Sequence, residues 1–231
     1  MIPTKVETPR RLNVEAVTLP RADLPTEEHF HSLLRGLPWP PTGNQGESIV
    51  SVGFTSCLRH EGVTRCVVQT AVAAASCDQG RVLVVDANLH APSLDRLVNI
   101  DRAPGFTDVL LEECELREAV SSVYQNLDVM SAGRVDRDPA SIYGAGRRLH
   151  DVFSKLEEEY SLLLVDLPPI GTSNVTWPLL QTLDGIVLVV EAERVDWTMG
   201  TRVRDRMRQA GVNLLGAVVN HRRRPGPKWC R

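Results

Sequence analysis

Residues 48–76 read SIVSVGFTSCLRHEGVTRCVVQTAVAAAS. The stretch opens on an apolar run of strand length and closes on one with the small-residue composition of a helix that packs closely on a sheet. Between them lies the polar loop Cys57–Arg65, so the order is strand, loop, helix. A loop that holds phosphate in this setting follows the pattern G-x-x-x-x-G-K-[ST]. Its backbone N–H groups cradle the phosphate, the lysine reaches the β and γ oxygens, and the hydroxyl binds Mg²⁺. Gly62 and Thr64 fit that pattern, but Val63 stands where the lysine belongs.

Outward from this stretch, the runs RVLVVDA, LDVMSA, SLLLVDL, GIVLVVEA and LLGAVVN alternate with segments long enough for crossover helices. They are nearly continuous in Val, Leu and Ile, as parallel strands covered on both faces must be. The pattern predicts an α/β fold with a doubly wound, mainly parallel sheet. Ligands of such sheets bind beyond the carboxyl ends of the strands, which is where the loop, Asp86 and Asp166 all fall. A strand end is a rigid support for an oxygen ligand, and a hard cation such as Mg²⁺ takes oxygen ligands. Thr64, Asp86 and Asp166 are therefore the candidate metal ligands, and Arg59, Glu61, Gly62, Val63 and Thr64 the candidate phosphate loop. Either aspartate taken alone serves equally well as the cap of the following helix or turn.

The rest of the composition sets bounds. Among 231 residues, 26 Lys and Arg stand against 29 Asp and Glu, a net charge of −3 that gives no global basic field for nucleic acid. The five cysteines, at 57, 66, 77, 114 and 230, lack C-x-x-C spacing, so the pattern fits the cytosol better than a zinc or redox site. Cys66 and Cys77 read as small hydrophobes on or just after the helix. No apolar run approaches the ~20 residues that span a bilayer. Residues 1–46 read as a proline-rich arm with one amphipathic island near 26–36, where Thr26 is placed to cap a helix carrying Phe30, Leu33 and Leu34 on one face. Residues 47–220 form the domain, and 221–231, HRRRPGPKWCR, a basic tail able to touch an anionic membrane surface. The arginines at 202, 204, 206 and 208 spread around the surface of one helix.

The chain resembles the bacterial tyrosine kinases of capsule and exopolysaccharide synthesis, relatives of the partition and septum-site P-loop ATPases. The resemblance runs from about residue 26 to 220 and rests on TS…EGVT, VLVVDANLHAPSL, PGFTDVL, LDVMSAG, LLLVDLPP and GAVVN. It implies a P-loop NTPase-like three-layer sandwich, with Asp166 at the Walker B position and Asn220 where relatives contact adenine. An asparagine that simply closes a strand in a turn is the other reading of Asn220. The family's second motif looks like D-x-D-x-R followed by x-P-S-L. Here Asp86 is kept, while Asn88 and His90 replace the second aspartate and the arginine. That aspartate is similar in role to a general base and metal anchor for the attacking tyrosine, and an amide cannot be that base. The family's tyrosine-rich tail is missing: Tyr124, Tyr143 and Tyr160 all lie inside the domain. The family's E-x-x-R-x-x-R assembly helix maps onto Glu28, His31 and Leu34, of which only Glu28 is retained.

The losses at Val63 and Asn88 remove one positive and one negative charge from one crevice, leaving its balance nearly unchanged. The resemblance thus implies a catalytically degraded homologue, a pseudokinase-like regulator of capsule or exopolysaccharide synthesis or export. Its expected partner is a membrane chain-length or export protein, with self-association as a further expectation and no nucleic acid. Its expected place is the cytoplasm, at the inner face of the membrane through that partner. No cofactor is fixed, and MgATP or MgADP is expected to bind weakly. A deviant ATPase or tyrosine kinase that retains MgATP, with Arg59 standing in for the lysine, is the alternative. A partition-type ATPase is the second. Arg65, beginning the helix, has no evident reason to face the phosphates.

Overall fold

The computed structural model describes residues 27–37, 39, 50–171 and 176–220. Thr26, most of the proline-rich arm and the basic tail lie outside these residues. The strands are β1 (Ser51–Ser56), β2 (Val82–Asp86), β3 (Val120–Tyr124), β4 (Leu127–Met130), β5 (Leu162–Asp166), β6 (Gly185–Glu191) and β7 (Leu214–Asn220). They form one sheet in the order β3-β4-β2-β5-β1-β6-β7. All neighbours pair in parallel except β3, which runs antiparallel to β4. Six strands arise from the apolar runs, and β1, β2, β4 and β5 are buried along their whole length. The seventh, β3, reads VSSVY and is half-buried on the sheet edge. Its two serines hide it from a search for continuous apolar runs. It is held by a hairpin in which Asn126 takes the left-handed conformation, φ 59°, a position that Asn tolerates better than most residues.

Helices cover both faces. On one lie α1 (Glu27–Gly36), α2 (Val63–Ser76) and α3 (Leu94–Val98); on the other lie α4 (Phe106–Leu110), α5 (Pro139–Tyr143), α6 (Gly146–Glu159), α7 (Trp177–Thr182) and α8 (Trp197–Gln209). The result is a doubly wound three-layer sandwich with two cores. Small residues let α2 sit close to the strands: Ala71, Ala73, Ala74 and Ala75 are buried among Val52, Phe54, Val84 and Leu164. Cys66 joins that core, whereas Cys77 is exposed at the helix C-terminus, so the reading of Cys77 as a packed small hydrophobe fails there. Helix α1 packs on α2. It buries Phe30, Leu34 and Leu37, and Trp39 beyond it donates from Nε1 to the Ser161 carbonyl at 2.9 Å. Leu34, at the second arginine position of the family's assembly motif, is thus a core residue. No helix among the described residues is long and apolar enough to cross a membrane.

Candidate functional site: a cleft at the carboxyl end of β1

Strand β1 lies between β5 and β6, so the loop that leaves it faces the ends of both. Beyond it opens a cleft of about 670 Å³ whose walls include Arg59, His60, Val63, Thr64, Asn88 and Ser93. The loop keeps an unusual backbone. His60 and Gly62 both have positive φ, 67° and 84°. Glycine adopts this region freely, whereas a residue with a Cβ pays about 1–2 kcal/mol for it. Surrounding bonds enforce the shape. Glu61 is fully buried, and its carboxylate accepts from the N–H of Leu58 at 2.7 Å and from that of Glu191, at the end of β6, at 2.9 Å. The Glu61 carbonyl accepts from Asn220 Nδ2 at 2.8 Å. Asn220, the candidate adenine contact, therefore ties β7 to the loop. On the other side, Ile170 N–H donates to the Ser56 carbonyl at 3.0 Å and Thr55 Oγ1 to the Pro168 carbonyl at 2.8 Å. A Cβ at Gly171 would overlap the Cys57 carbonyl, so only glycine lets the two loops meet this closely.

Val63 opens α2 with 9% of its surface exposed and belongs to the core beneath that helix. A side chain packed this way brings no charge to the cleft. The next residue, Thr64, donates from Oγ1 to Asp166 Oδ2 at 2.6 Å and lies 3.3 Å from Ser93 Oγ. Asp86 and Asp166 are partners in the β2–β5 register, side by side at the strand ends and fully buried. Asp86 accepts from the N–H groups of Asn88 at 3.1 Å, Ser93 at 3.1 Å and Leu94 at 3.0 Å. Burial outweighs these three bonds and pushes the Asp86 carboxyl up to about 6. Asp166 is raised well above the ordinary range by burial first and by the charge of Asp86 second, against the Thr64 hydrogen bond. The site therefore stores like charge that a cation or a proton would relieve.

The structure brings Thr64, Asp86 and Asp166 together, with Asn88 beside them. Two oxygens, Asn88 Oδ1 and Asp166 Oδ1, are buried without a hydrogen-bond partner. An all-oxygen donor set with an orphaned carboxylate oxygen suits a hard divalent cation, so the residues present fit Mg²⁺. Among the described residues no cluster of three or more His, Cys, Asp or Glu side chains forms a metal centre, which leaves most of such a cation's ligands to phosphate and water. The fit to phosphate is poorer, for want of the lysine. Arg59 does line the cleft, and so do Arg65 and Arg96. Arg65, which the sequence gives no evident reason to face the phosphates, is the third residue of α2 and lines the cleft. Arg96 reached the site without a sequence signal, by the short α3 that follows the Asp86 loop. Tyr143 was likewise unforeseen. Wholly buried, it donates from its hydroxyl to the Ala87 carbonyl at 2.7 Å and accepts from the Leu89 N–H at 3.2 Å, which fixes the loop carrying Asn88. His90, in the family's arginine position, stacks on the Tyr143 ring with centroids 6.3 Å apart.

A strand, phosphate loop and helix, with two strand-end aspartates in register behind the loop, are the parts of a P-loop NTPase. Residues 56–228 match the family model described as ParA, NUBPL iron-transfer P-loop NTPase. The chain belongs to the ParA family of P-loop NTPases. The chain is also similar to relatives named as tyrosine-protein kinases. The tyrosine-protein kinase YwqD of Bacillus subtilis is 25% identical over 210 residues, 90% of this chain and 85% of that protein. The putative tyrosine-protein kinase EpsB of Ralstonia nicotianae is 27% identical over 86% of this chain, which spans only 26% of that longer protein. Among solved structures, the kinase domain of the Escherichia coli tyrosine kinase ETK superposes with a TM-score of 0.78 at 21% identity, covering 98% of this chain and 88% of that one. The septum-site-determining protein MinD of Pyrococcus horikoshii, complexed with Mg-ADP, superposes with a TM-score of 0.60 at 24% identity, covering 78% and 74%. These two likenesses carry the fold of this ParA-family chain.

Proposed function

We propose that this ParA-family protein is a non-phosphorylating, pseudokinase-like relative of the tyrosine kinases of polysaccharide synthesis, acting in the cytoplasm on a membrane chain-length or export partner. The observation that carries the reading is Val63. The residue at the lysine position is an uncharged side chain on the cleft wall that also joins the core beneath α2, so the charge that phosphoryl transfer needs at this point is gone. Transfer of phosphate depends almost wholly on positioning and on stabilising charge. Asn88 supplies an amide where a base would be required. Of the three tyrosines, Tyr143 and Tyr160 are buried, and Tyr124, 46% exposed, closes the edge strand β3 at the far side of the sheet from β6 and β7. Mg²⁺, when bound, supplies positive charge to phosphate. Thr64, Asp86 and Asp166 are the residues that would hold it, and Asn88 and Tyr143 would shape the loop around it.

Incubation with labelled ATP and Mg²⁺ tests this. No label on tyrosine is expected, and tyrosine label that vanishes in Asp166→Ala would end the pseudokinase reading.

Two observations favour a second reading, a deviant ATPase. The loop holds its left-handed residues despite His60, and three arginines line the cleft. A ligand at ~100 times its Kd stabilises a fold by about 2.7 kcal/mol. A Mg²⁺-dependent rise in melting temperature with ATP, lost in Thr64→Ala, would favour it; the expected result is no rise.

A further inference from the structure

The two edges of the sheet are built differently. At one, β3 is short, carries Ser121 and Ser122, and shifts register against β4 between Ser122 and Tyr124. A short strand with an irregular register is a blunted edge. At the other, β7 reads LLGAVVN, without charge or proline, and no strand among the described residues pairs with its outer side. Its own register shift falls at its start, so residues 216–220 run regularly beside residues 187–191 of β6. Ala217 and Val219 pair with Leu188 and Val190, which belong to the core on the α8 side, so both stand on the face that α8 covers. Both are exposed there, Val219 to 61%. Helix α8 packs on β7 and extends this surface. Val203 and Met207 are buried toward the sheet, and Arg206 lies over the Trp177 ring of α7, 4.9 Å from its centroid. The flank turned away from α7, toward the outer side of β7, carries Trp197, Gly200, Thr201, Arg204 and Arg208 at helical spacing. Trp197 is 84% exposed, and a Cβ at Gly200 would meet nothing. This flank has a direction. It starts with Trp197, next in the chain to the exposed Glu193 and Asp196, and ends with Arg204, paired with Asp205 at 2.8 Å, and Arg208.

We propose that a second copy of this chain occupies this edge, β7 pairing antiparallel with β7 about a two-fold axis normal to the sheet, with the two α8 helices side by side and antiparallel. An isologous contact must be self-complementary, and this one is so in both layers. In the strand layer residues 216–219 are uncharged, so no register sets like charges opposite each other, and the exposed Ala217 and Val219 are covered. In the helix layer the axis brings the start of one α8 to the end of the other. Trp197 of one copy then meets Arg208 of the other, a cation on an aromatic face, with Glu193 and Asp196 beside that same arginine. Gly200 and Thr201, nearer the axis, are small enough for the helices to approach. Antiparallel helix dipoles add to the match. A foreign strand could use the open backbone of β7, but a second copy also carries the complement of the α8 flank, and that decides the occupant.

Sedimentation equilibrium of the full chain over a wide range of concentration, without nucleotide, tests it. A reversible dimer is expected. Trp197→Ala removes two symmetry-related contacts at once and should raise the dimer dissociation constant about 5- to 30-fold. Val219→Lys sets like charges into the strand pair, as natural edge strands do to stay unpaired, and should leave the chain monomeric. Both positions are exposed, and circular dichroism checks that both variants fold. Tyr124→Lys, on the β3 edge, should leave the dimer as it was. A parent chain that is monomeric at every concentration overturns the proposal and leaves the edge to a different chain. So does a dimer undiminished in Trp197→Ala or in Val219→Lys, or one that Tyr124→Lys abolishes. The assay contains no ATP, so its failure leaves the non-phosphorylating reading standing.

Discussion

Replacing Asp166 by asparagine should stabilise this protein near pH 8 and cease to do so near pH 5. Asp166 is fully buried beside Asp86 in the β2–β5 register, and its Oδ1 has no partner. Asp86 is displaced from its ordinary 3.8 to about 6, and Asp166 is displaced upward as well. A native-state value above the unfolded one means that the folded protein holds more protons than the unfolded chain across that interval. Stability therefore falls as pH rises from about 4 through about 6 and beyond, and is recovered on acidification. Burial of the Asp166 charge is the larger cause of its displacement and the charge of Asp86 the second, so an uncharged asparagine removes both, and each unit of such a displacement corresponds to about 1.4 kcal/mol. Against that gain, the asparagine amide places N–H donors where no acceptor stands, which costs about 1–2 kcal/mol. A displacement well above the ordinary range exceeds that cost, so the net expectation at pH 8 is a stabilisation on the order of 1 kcal/mol, or about 2–4 °C in melting temperature for a chain of this size. At pH 5 both carboxyls keep their protons in the parent, the gain disappears and the variant is no more stable. Urea unfolding followed by circular dichroism at the two pH values, without Mg²⁺, measures this. A variant less stable than its parent at pH 8, or a difference that ignores pH, would refute the argument that the two aspartates store unfavourable charge.

Three further outcomes follow from the loop. His60→Gly should raise stability by roughly 0.5–1 kcal/mol, since relief of the left-handed strain of a Cβ-bearing residue exceeds glycine's entropy cost; chemical denaturation would detect it. Glu61→Ala removes the acceptor of the Leu58 and Glu191 N–H groups and should cost about 2–4 kcal/mol, with Glu61→Gln near half of that, again by urea titration. Val63→Lys should improve affinity for MgATP in calorimetric titration more than it improves turnover. Combined with Asn88→Asp it should gain more than the two single changes added together, because groups that act as a unit are not additive.

Much of this protein could be read along the chain. Six strands were legible because a parallel strand is buried on both faces, so its residues must be apolar one after another, and the alanine-rich run after the loop declared a helix pressed against a sheet. Asp86 and Asp166 were legible as strand-end acids because a single polar residue closing an apolar run is a local signal. Strand β3 escaped because an edge strand, half in water, can afford its serines. The presence of Arg65 and Arg96 on the cleft wall and the role of Tyr143 were not legible, for another reason. Which side chains meet in the cleft depends on strand order: crossovers set β1 between β5 and β6, bring Thr64 to Asp166, and bring Asn220 and the Glu191 N–H to Glu61. Local chemistry fixes what each segment is, through burial and backbone preference. Only the closed sheet decides what each segment faces, because those contacts join residues far apart in the chain and exist only once every strand has taken its place.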